Sequence, residues 1–187
     1  MSDHNVQGSA AWLEFRKKHI TATDACVIMG ASKYKSVKQL YIEKTTDCPL
    51  IPPNRHMQRG IDLEPIARDL VSLTLGINFF PKVLVSEKET WMMASLDGIS
   101  EDGNSILEIK CPSKKCQIAY EGLIPDWYYP QIQHQMFVAN VKQAYYYSFD
   151  GIDGDLVTVH RNDDYLSVMI EKERDFYNHM IAGIPPE

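Results

Sequence analysis

A mixed α/β fold, a central mixed β-sheet flanked by helices, is predicted by three features of the sequence. Apolar residues repeat with a helical period at both ends of the chain, three strand-like runs follow one another in the middle, and a further helical run separates these from two more strands. Sheet faces of that kind must be covered by helices to bury their apolar sides. A length of 187 residues suits a single domain, 1–187, with a core large enough to stand without staples.

The elements follow in order. Residues 10–18 are helix-like, Thr21 or Thr23 can cap a helix through Ala25, Val27, Ile28 and Met29 to Gly30, and Ser36 can cap another through Leu40 and Lys44. The proline cluster at 49–53 reads as a loop between helices. Residues 57–75 carry Ile61, Leu63, Ile66, Ala67, Leu70, Val71 and Leu75 at helical spacing, with Gly76 as the stop. Gly60 and Glu64 then share one side of that helix, a turn apart. Residues 77–85, 91–99 and 105–111 are strand-like, and the Asp102-Gly103 pair between the last two is a hairpin signal. Residues 129–141 read as a helix, 144–149 and 155–160 as strands around a Gly/Asp turn, and 163–181 as a closing helix capped by Asp163 or Asp164.

Composition narrows the class. The net charge is −6, but residues 1–60 hold nine Lys/Arg against five Asp/Glu and the remainder ten against twenty, so the two parts differ in sign. A basic surface can therefore bind phosphates on an acidic protein, because attraction decays over about 8 to 10 Å at physiological salt. Cys26, Cys48, Cys111 and Cys116 form no CxxC pair, which removes zinc-ribbon readings and leaves ordinary thiols of a reducing cytosol. No apolar run is long enough to cross a bilayer, and the N-terminus has no basic segment followed by an apolar one, so a soluble cytoplasmic protein without membrane partners is expected.

The most informative stretch runs from Ser95-Leu96-Asp97-Gly98 to Glu108-Ile109-Lys110. Side chains alternate along a strand, so Glu108 and Lys110 project from one face while Ile109 points into the core, and the hairpin brings Asp97 beside them. Two carboxylates and an ammonium near a strand end make a hard, oxygen-rich pocket for Mg²⁺ or Mn²⁺ with a cation that can orient water, as phosphodiester hydrolysis requires. A same-face salt bridge on an exposed strand is the other reading of the spacing. The apolar residues around the pair favour the first, because an unpartnered buried charge costs several kcal/mol, about as much as a strong partner must offset.

Five ordered blocks between about Trp12 and Gln135 resemble the PD-(D/E)xK nucleases, and within them the phage-type alkaline exonucleases similar to phage lambda exonuclease. They are Trp12-x3-Arg16-x4-Thr21-Ala22-Thr23; Gly60-x3-Glu64-x2-Ala67; Ser95-Leu96-Asp97-Gly98; Leu107-Glu108-Ile109-Lys110-Cys111-Pro112; and Tyr128-x2-Gln131-x-Gln133. The resemblance implies a restriction-endonuclease-like fold. It implies that Asp97, Glu108 and the carbonyl of Ile109 hold Mg²⁺, with Mn²⁺ as a substitute and Glu64 completing the site. Lys110 resembles the lysine that positions the attacking water, and Gln131 the glutamine that helps hold lysine and substrate. Glu64 as a surface acid and Gln131 as a polar-face residue beside Gln135 are the ordinary alternatives.

The same comparison implies a 5′-phosphate pocket of Arg16, Thr23 and Ser95, with Thr23 where the lambda enzyme has a serine. Lys114 and Lys115 stand near where that enzyme has a further arginine. The implied activity is 5′-to-3′ degradation of one strand of linear duplex DNA, leaving a 3′ overhang for recombination. A homotrimer, a single-strand annealing partner, and a phage, prophage or host setting belong to the same implication. A structure-selective or restriction-like endonuclease and a non-catalytic nucleic-acid-binding module are the alternatives. Met57, between Arg55 and Arg59, reads as an adaptable core filler at a helix start, or alternatively as an apolar wedge that parts terminal base pairs.

Overall fold

Capping side chains decide where the first helices begin. The structure is a computed structural model that describes residues 9–47 and 54–186, so the expected loop at 49–53 and Cys48 lie outside the described residues. Helix α1 (Ala10–Lys18) starts where the Ser9 hydroxyl accepts the Trp12 N–H, and closes with Arg16, Lys17 and Lys18 on its negative end. Strand β1 (Ile20–Thr21) leads straight into α2 (Ala22–Ile28). Thr21 is the cap; Asp24 returns to accept its N–H and its hydroxyl, both at 2.8 Å, and Thr23 lies inside the helix. Helix α3 (Val37–Thr45) begins at Ser36, which exchanges hydrogen bonds with Gln39. Helix α4 (Arg55–Leu75) starts two residues earlier than expected because the Asn54 side chain accepts from His56 and Met57. It ends at Gly76, whose φ of 66° suits glycine. Pro65 lies within α4, where it removes one backbone donor.

Strands β2 (Phe79–Val85), β3 (Met92–Ser100) and β4 (Ser105–Lys110) form the expected antiparallel meander. A short α5 (Gln117–Tyr120) and a 3-10 turn (Asp126–Tyr128) precede α6 (Tyr129–Val138), which ends before residue 141. Strand β5 (Gln143–Phe149) returns parallel to β4, β6 (Gly154–His160) pairs antiparallel with β5, and α7 (Asp163–Ala182) closes the chain. Its cap is Asn162, accepting the Tyr165 N–H at 3.0 Å, and neither Asp163 nor Asp164. The sheet order is β1-β3-β4-β5-β6, with β2 on the other edge of β3. The parallel β1–β3 and β4–β5 pairs make it mixed, as expected.

Each face of the sheet has its own core. Leu96, Ile106, Ala144 and Tyr146 pack with Ile132 and Met136 of α6 and Leu166 and Met169 of α7. Leu107, Ile109 and Tyr147 pack with Ala67 and Val71 of α4 on the opposite face. Ile109 therefore points into one core while Glu108 and Lys110 face α6. Register between β2 and β3 shifts where Phe80 pairs with Ile99 but Lys82 pairs with Leu96, so Asp97 and Gly98 together oppose Pro81. Such a bulge re-aims a side chain. A Cβ on Gly98 would stand 2.9 Å from that of Phe79 and 3.2 Å from that of Leu107, so only glycine fits beside Asp97. Among the described residues no helix is long and apolar enough to cross a membrane.

Candidate active site

The site opens where two neighbouring strands part. β3 pairs with β4 only at Gly98–Leu107 and Ile99–Ile106, and with β1 at Met92 and Met93. Since β2 occupies the other edge of β3, residues 94–97 have no strand partner on the β4 side among the described residues. Asp97 fills the gap with its side chain: Oδ2 accepts the Ile109 N–H at 2.8 Å. A carboxylate thus replaces a ladder bond, and this holds Asp97 next to Glu108.

Glu108 is 1% exposed. Its two oxygens accept from Gln131 Nε2 and Gln135 Nε2, each at 2.6 Å, and Lys110 Nζ lies 2.5 Å from Oε1. Gln131 and Gln135 are one turn apart on α6 and both buried, so the helix aims two amide donors at one carboxylate. The Lys110 ammonium also sits 4.8 Å from the Tyr128 ring centroid. On the opposite side, Arg68 pairs with Glu64 one turn away on α4 and donates from Nε to the Asp97 carbonyl at 2.6 Å. Arg68 thereby joins α4 to the end of β3.

The electrostatics are unbalanced toward negative charge. Burial, then Glu108 and Glu64, push Asp97 well above the usual carboxylate range, against the opposing pull of Lys110 and the Ile109 N–H. Burial also raises Glu64, partly offset by Arg68 and reinforced by Glu108. Lys110 is pulled down by burial, but Glu108 and Asp97 outweigh this and leave it a firmer cation than a free lysine. Among the described residues no group of three His, Cys, Asp or Glu side chains stands ready to hold a metal, and each carboxylate rests on protein donors. The donor chemistry nevertheless fits a hard divalent cation: Glu108 and Glu64 push Asp97 up, Glu108 pushes Glu64 up, and such a cation removes that repulsion.

A second cluster lies at the end of α1. Arg16 Nη2 donates to Thr23 Oγ1 at 3.1 Å, Trp12 Nε1 donates to Ser95 Oγ at 3.0 Å, and the Arg16 guanidinium covers the Trp12 ring at 4.5 Å. Arg16, Thr23 and Ser95 are thus gathered around one tryptophan, with Ser95 two residues from Asp97 on β3. Beneath them Asp24 pairs with Lys44 at 2.6 Å, and Lys44 also donates to the carbonyls of Arg16 and His19. That buried pair fixes α3 against α1 and α2.

Other residues singled out in the sequence sit elsewhere. Lys115 faces Asp153 and Asp155 at 3.5 and 3.7 Å and covers the Tyr120 ring, while Lys114 is exposed. Met57 is 53% exposed, so the reading of it as a core filler is corrected: the first turn of α4 does not pack that side chain inside. Gln131 is buried on Glu108, which corrects its reading as a polar-face residue. Gln133 of the same block instead bridges the His160 carbonyl and the Asn162 N–H, joining β6 to α7. Sequence reasoning gave Gln135, Arg68 and Tyr128 no role at the site. For Gln135 and Arg68 the signal was the four-residue spacing from Gln131 and from Glu64.

Comparison with known proteins places the chain in a family. Residues 11–142 match the family model described as YqaJ-like viral recombinase domain. The chain is 25% identical over 182 residues to the uncharacterized protein YqaJ of Bacillus subtilis (strain 168), covering 92% of this chain but 56% of that protein, so it spans little more than half of the relative. The structure is similar to that of LHK-Exo in complex with dAMP, with a TM-score of 0.80, 23% identity and 94% of each chain covered. The alkaline exonuclease LHK-Exo from Laribacter hongkongensis, solved separately, matches with a TM-score of 0.77 at the same identity and coverage. A phage related exonuclease from Haemophilus somnus matches with a TM-score of 0.68 and 14% identity, over 88% of this chain and 96% of that one. At these identities the structural likeness establishes the fold, a six-stranded mixed sheet flanked by helices.

Proposed function

The chain belongs to the YqaJ-like viral recombinase domain family, and on that premise we propose that it is a Mg²⁺-dependent nuclease of duplex DNA ends, degrading one strand 5′-to-3′ to leave a 3′ overhang for recombination. The observation that carries the proposal is the meeting of Glu64, Asp97, Glu108 and Lys110 where β3 and β4 part. Asp97, Glu108, the carbonyl of Ile109 and Glu64 would hold Mg²⁺, or Mn²⁺ in its place. When bound, the ion would acidify a water and neutralise charge on a phosphate.

The remaining roles fall to the chain's own groups. Lys110, paired with Glu108, donates to water or to charge developing on the phosphate. Gln131 and Gln135 fix the rotamer of Glu108. Arg16, Thr23 and Ser95 offer one guanidinium and two hydroxyls to a terminal 5′-phosphate, which selects ends over internal sites. Lys114 and Lys115 supply charge to the strand, and Met57, exposed between Arg55 and Arg59, is the wedge against the terminal base pair. A homotrimer belongs to the same reading: Ile66, Leu70 and Leu73 leave an apolar stripe exposed along α4, a face that a second copy would cover. A single-strand annealing protein as partner and a cytoplasmic setting complete it.

One observation favours the non-catalytic reading, a nucleic-acid-binding module: every carboxylate of the site already has a protein donor. Linear duplex DNA labelled at the 5′ or the 3′ end, with and without Mg²⁺, separates the two. Release of 5′ mononucleotides only with Mg²⁺, faster from 5′-phosphate than 5′-hydroxyl ends, is the expected result. Binding without hydrolysis would leave the module reading.

A further inference from the structure

Tyr34 is 96% exposed on the loop 30–36 between α2 and α3, so its ring stabilises nothing inside the fold. Lys33 and Lys35 flank it, and the loop is anchored at both ends. Gly30, at φ 73°, turns the chain out of α2; Ser36 caps α3, and Lys35 pairs with Glu43 of α3. Beside the loop lies an open cavity of about 430 Å³ lined by Ser32, Lys33, Tyr34 and Lys35 among others.

The loop is tied to the candidate active site through two aromatic rings. Lys33 Nζ lies 4.3 Å from the Trp127 ring centroid, Trp127 meets Tyr128 edge-on at 5.9 Å, and Tyr128 carries the Lys110 ammonium at 4.8 Å. An exposed aromatic between two cations, on a loop linked in this way to a site for phosphodiesters, matches the chemistry of a nucleotide: a flat base with phosphates on either side. A base inside a duplex is already stacked on both faces, whereas an unpaired base leaves a face free for such a ring.

We infer that Lys33, Tyr34 and Lys35 bind an unpaired nucleotide of the substrate beside the active site, Tyr34 stacking on the base and the lysines holding the adjoining phosphates. This rests on the proposed function for the identity of the substrate as DNA. Tyr34 touches no reacting atom; it positions the strand.

The test is fluorescence anisotropy of the full chain in EDTA with a blunt duplex, and with the same duplex carrying unpaired thymidines on either strand. Wild-type protein should prefer a tailed duplex, and Tyr34→Ala should cut that preference about 5- to 100-fold while its thermal unfolding stays as in wild type. Tyr34→Phe should retain the preference, because the ring and not the hydroxyl stacks. Replacing both lysines by alanine should lower the slope of log affinity against log salt by about one to two. A Tyr34→Ala chain with undiminished preference, or a Tyr34→Phe chain that loses as much, would overturn the inference even if hydrolysis is normal. A wild-type chain that shows the Tyr34-dependent preference yet hydrolyses nothing with Mg²⁺ would support the inference and overturn the nuclease.

Discussion

Side chains within one turn of helix α6 hold two buried carboxylates, and they hold them in opposite ways. Glu108 rests on two neutral amides and one ammonium, and its charge pushes both Asp97 and Glu64 up. Glu173 of α7 lies against His134, its oxygens 3.0 and 3.1 Å from Nδ1, while Nε2 lies 3.0 Å from the Met93 carbonyl. Both ring nitrogens face acceptors, so the geometry suits an imidazolium, and the pair neutralises itself in a closed core. The contrast separates roles that composition cannot. One carboxylate belongs to a cluster with surplus negative charge at a gap in the sheet, and the other to a balanced pair that locks α7 and α6 to β3. Burial is common to both; what differs is whether the charge is balanced.

The sharpest way to break that contrast is to neutralise each carboxylate. Glu108→Gln is expected to abolish Mg²⁺-dependent hydrolysis, a loss beyond roughly 10³-fold, with stability little changed because it also removes repulsion. Glu173→Gln should do the reverse, costing about 3 to 5 kcal/mol in denaturant unfolding by stranding His134, with hydrolysis near normal while the chain stays folded. Activity in Glu108→Gln, or undiminished stability in Glu173→Gln, would dissolve the distinction. Lys110→Ala comes next: DNA binding should persist while single-turnover hydrolysis falls by roughly 10² to 10⁴. Wild-type turnover would make Lys110 a mere partner of Glu108.

The remaining effects are smaller. His134 is pulled down by burial but raised overall by Glu173, and Glu173 is itself raised by burial. Both shifts favour the protonated form in the folded state. Their contribution is therefore fully present below the unfolded values, and it is lost as pH rises, for His134 from about 6.5 through its folded value. Unfolding free energy measured from pH 6 to 9 should decline, and His134→Gln should flatten that slope. The smallest effect concerns end selection. Arg16→Ala should shrink the ratio of rates on 5′-phosphate and 5′-hydroxyl ends by about tenfold, as expected for losing a charge-assisted bond. An unchanged ratio would reduce the Arg16, Thr23 and Trp12 cluster to packing.

Local chemistry accounts for what could be read from the chain alone. The mixed α/β order, the meander, the hairpin at Asp102-Gly103, the Ser36 cap and the facing of Glu108 and Lys110 follow from periodicity and capping, which act over a few residues. The family blocks likewise picked out Asp97, Glu108, Lys110 and Arg16 before any fold was known. Other features needed tertiary structure, because they join residues far apart in sequence. The Phe80/Lys82 register shift that re-aims Asp97 depends on which strand lies beside β3. The Gln135 bond to Glu108 spans 27 residues, and that of Arg68 to the Asp97 carbonyl spans 29. Whether Met57 and Tyr34 are outside, or Gln131 inside, is decided by what packs above them, and a side chain's own type does not carry that information.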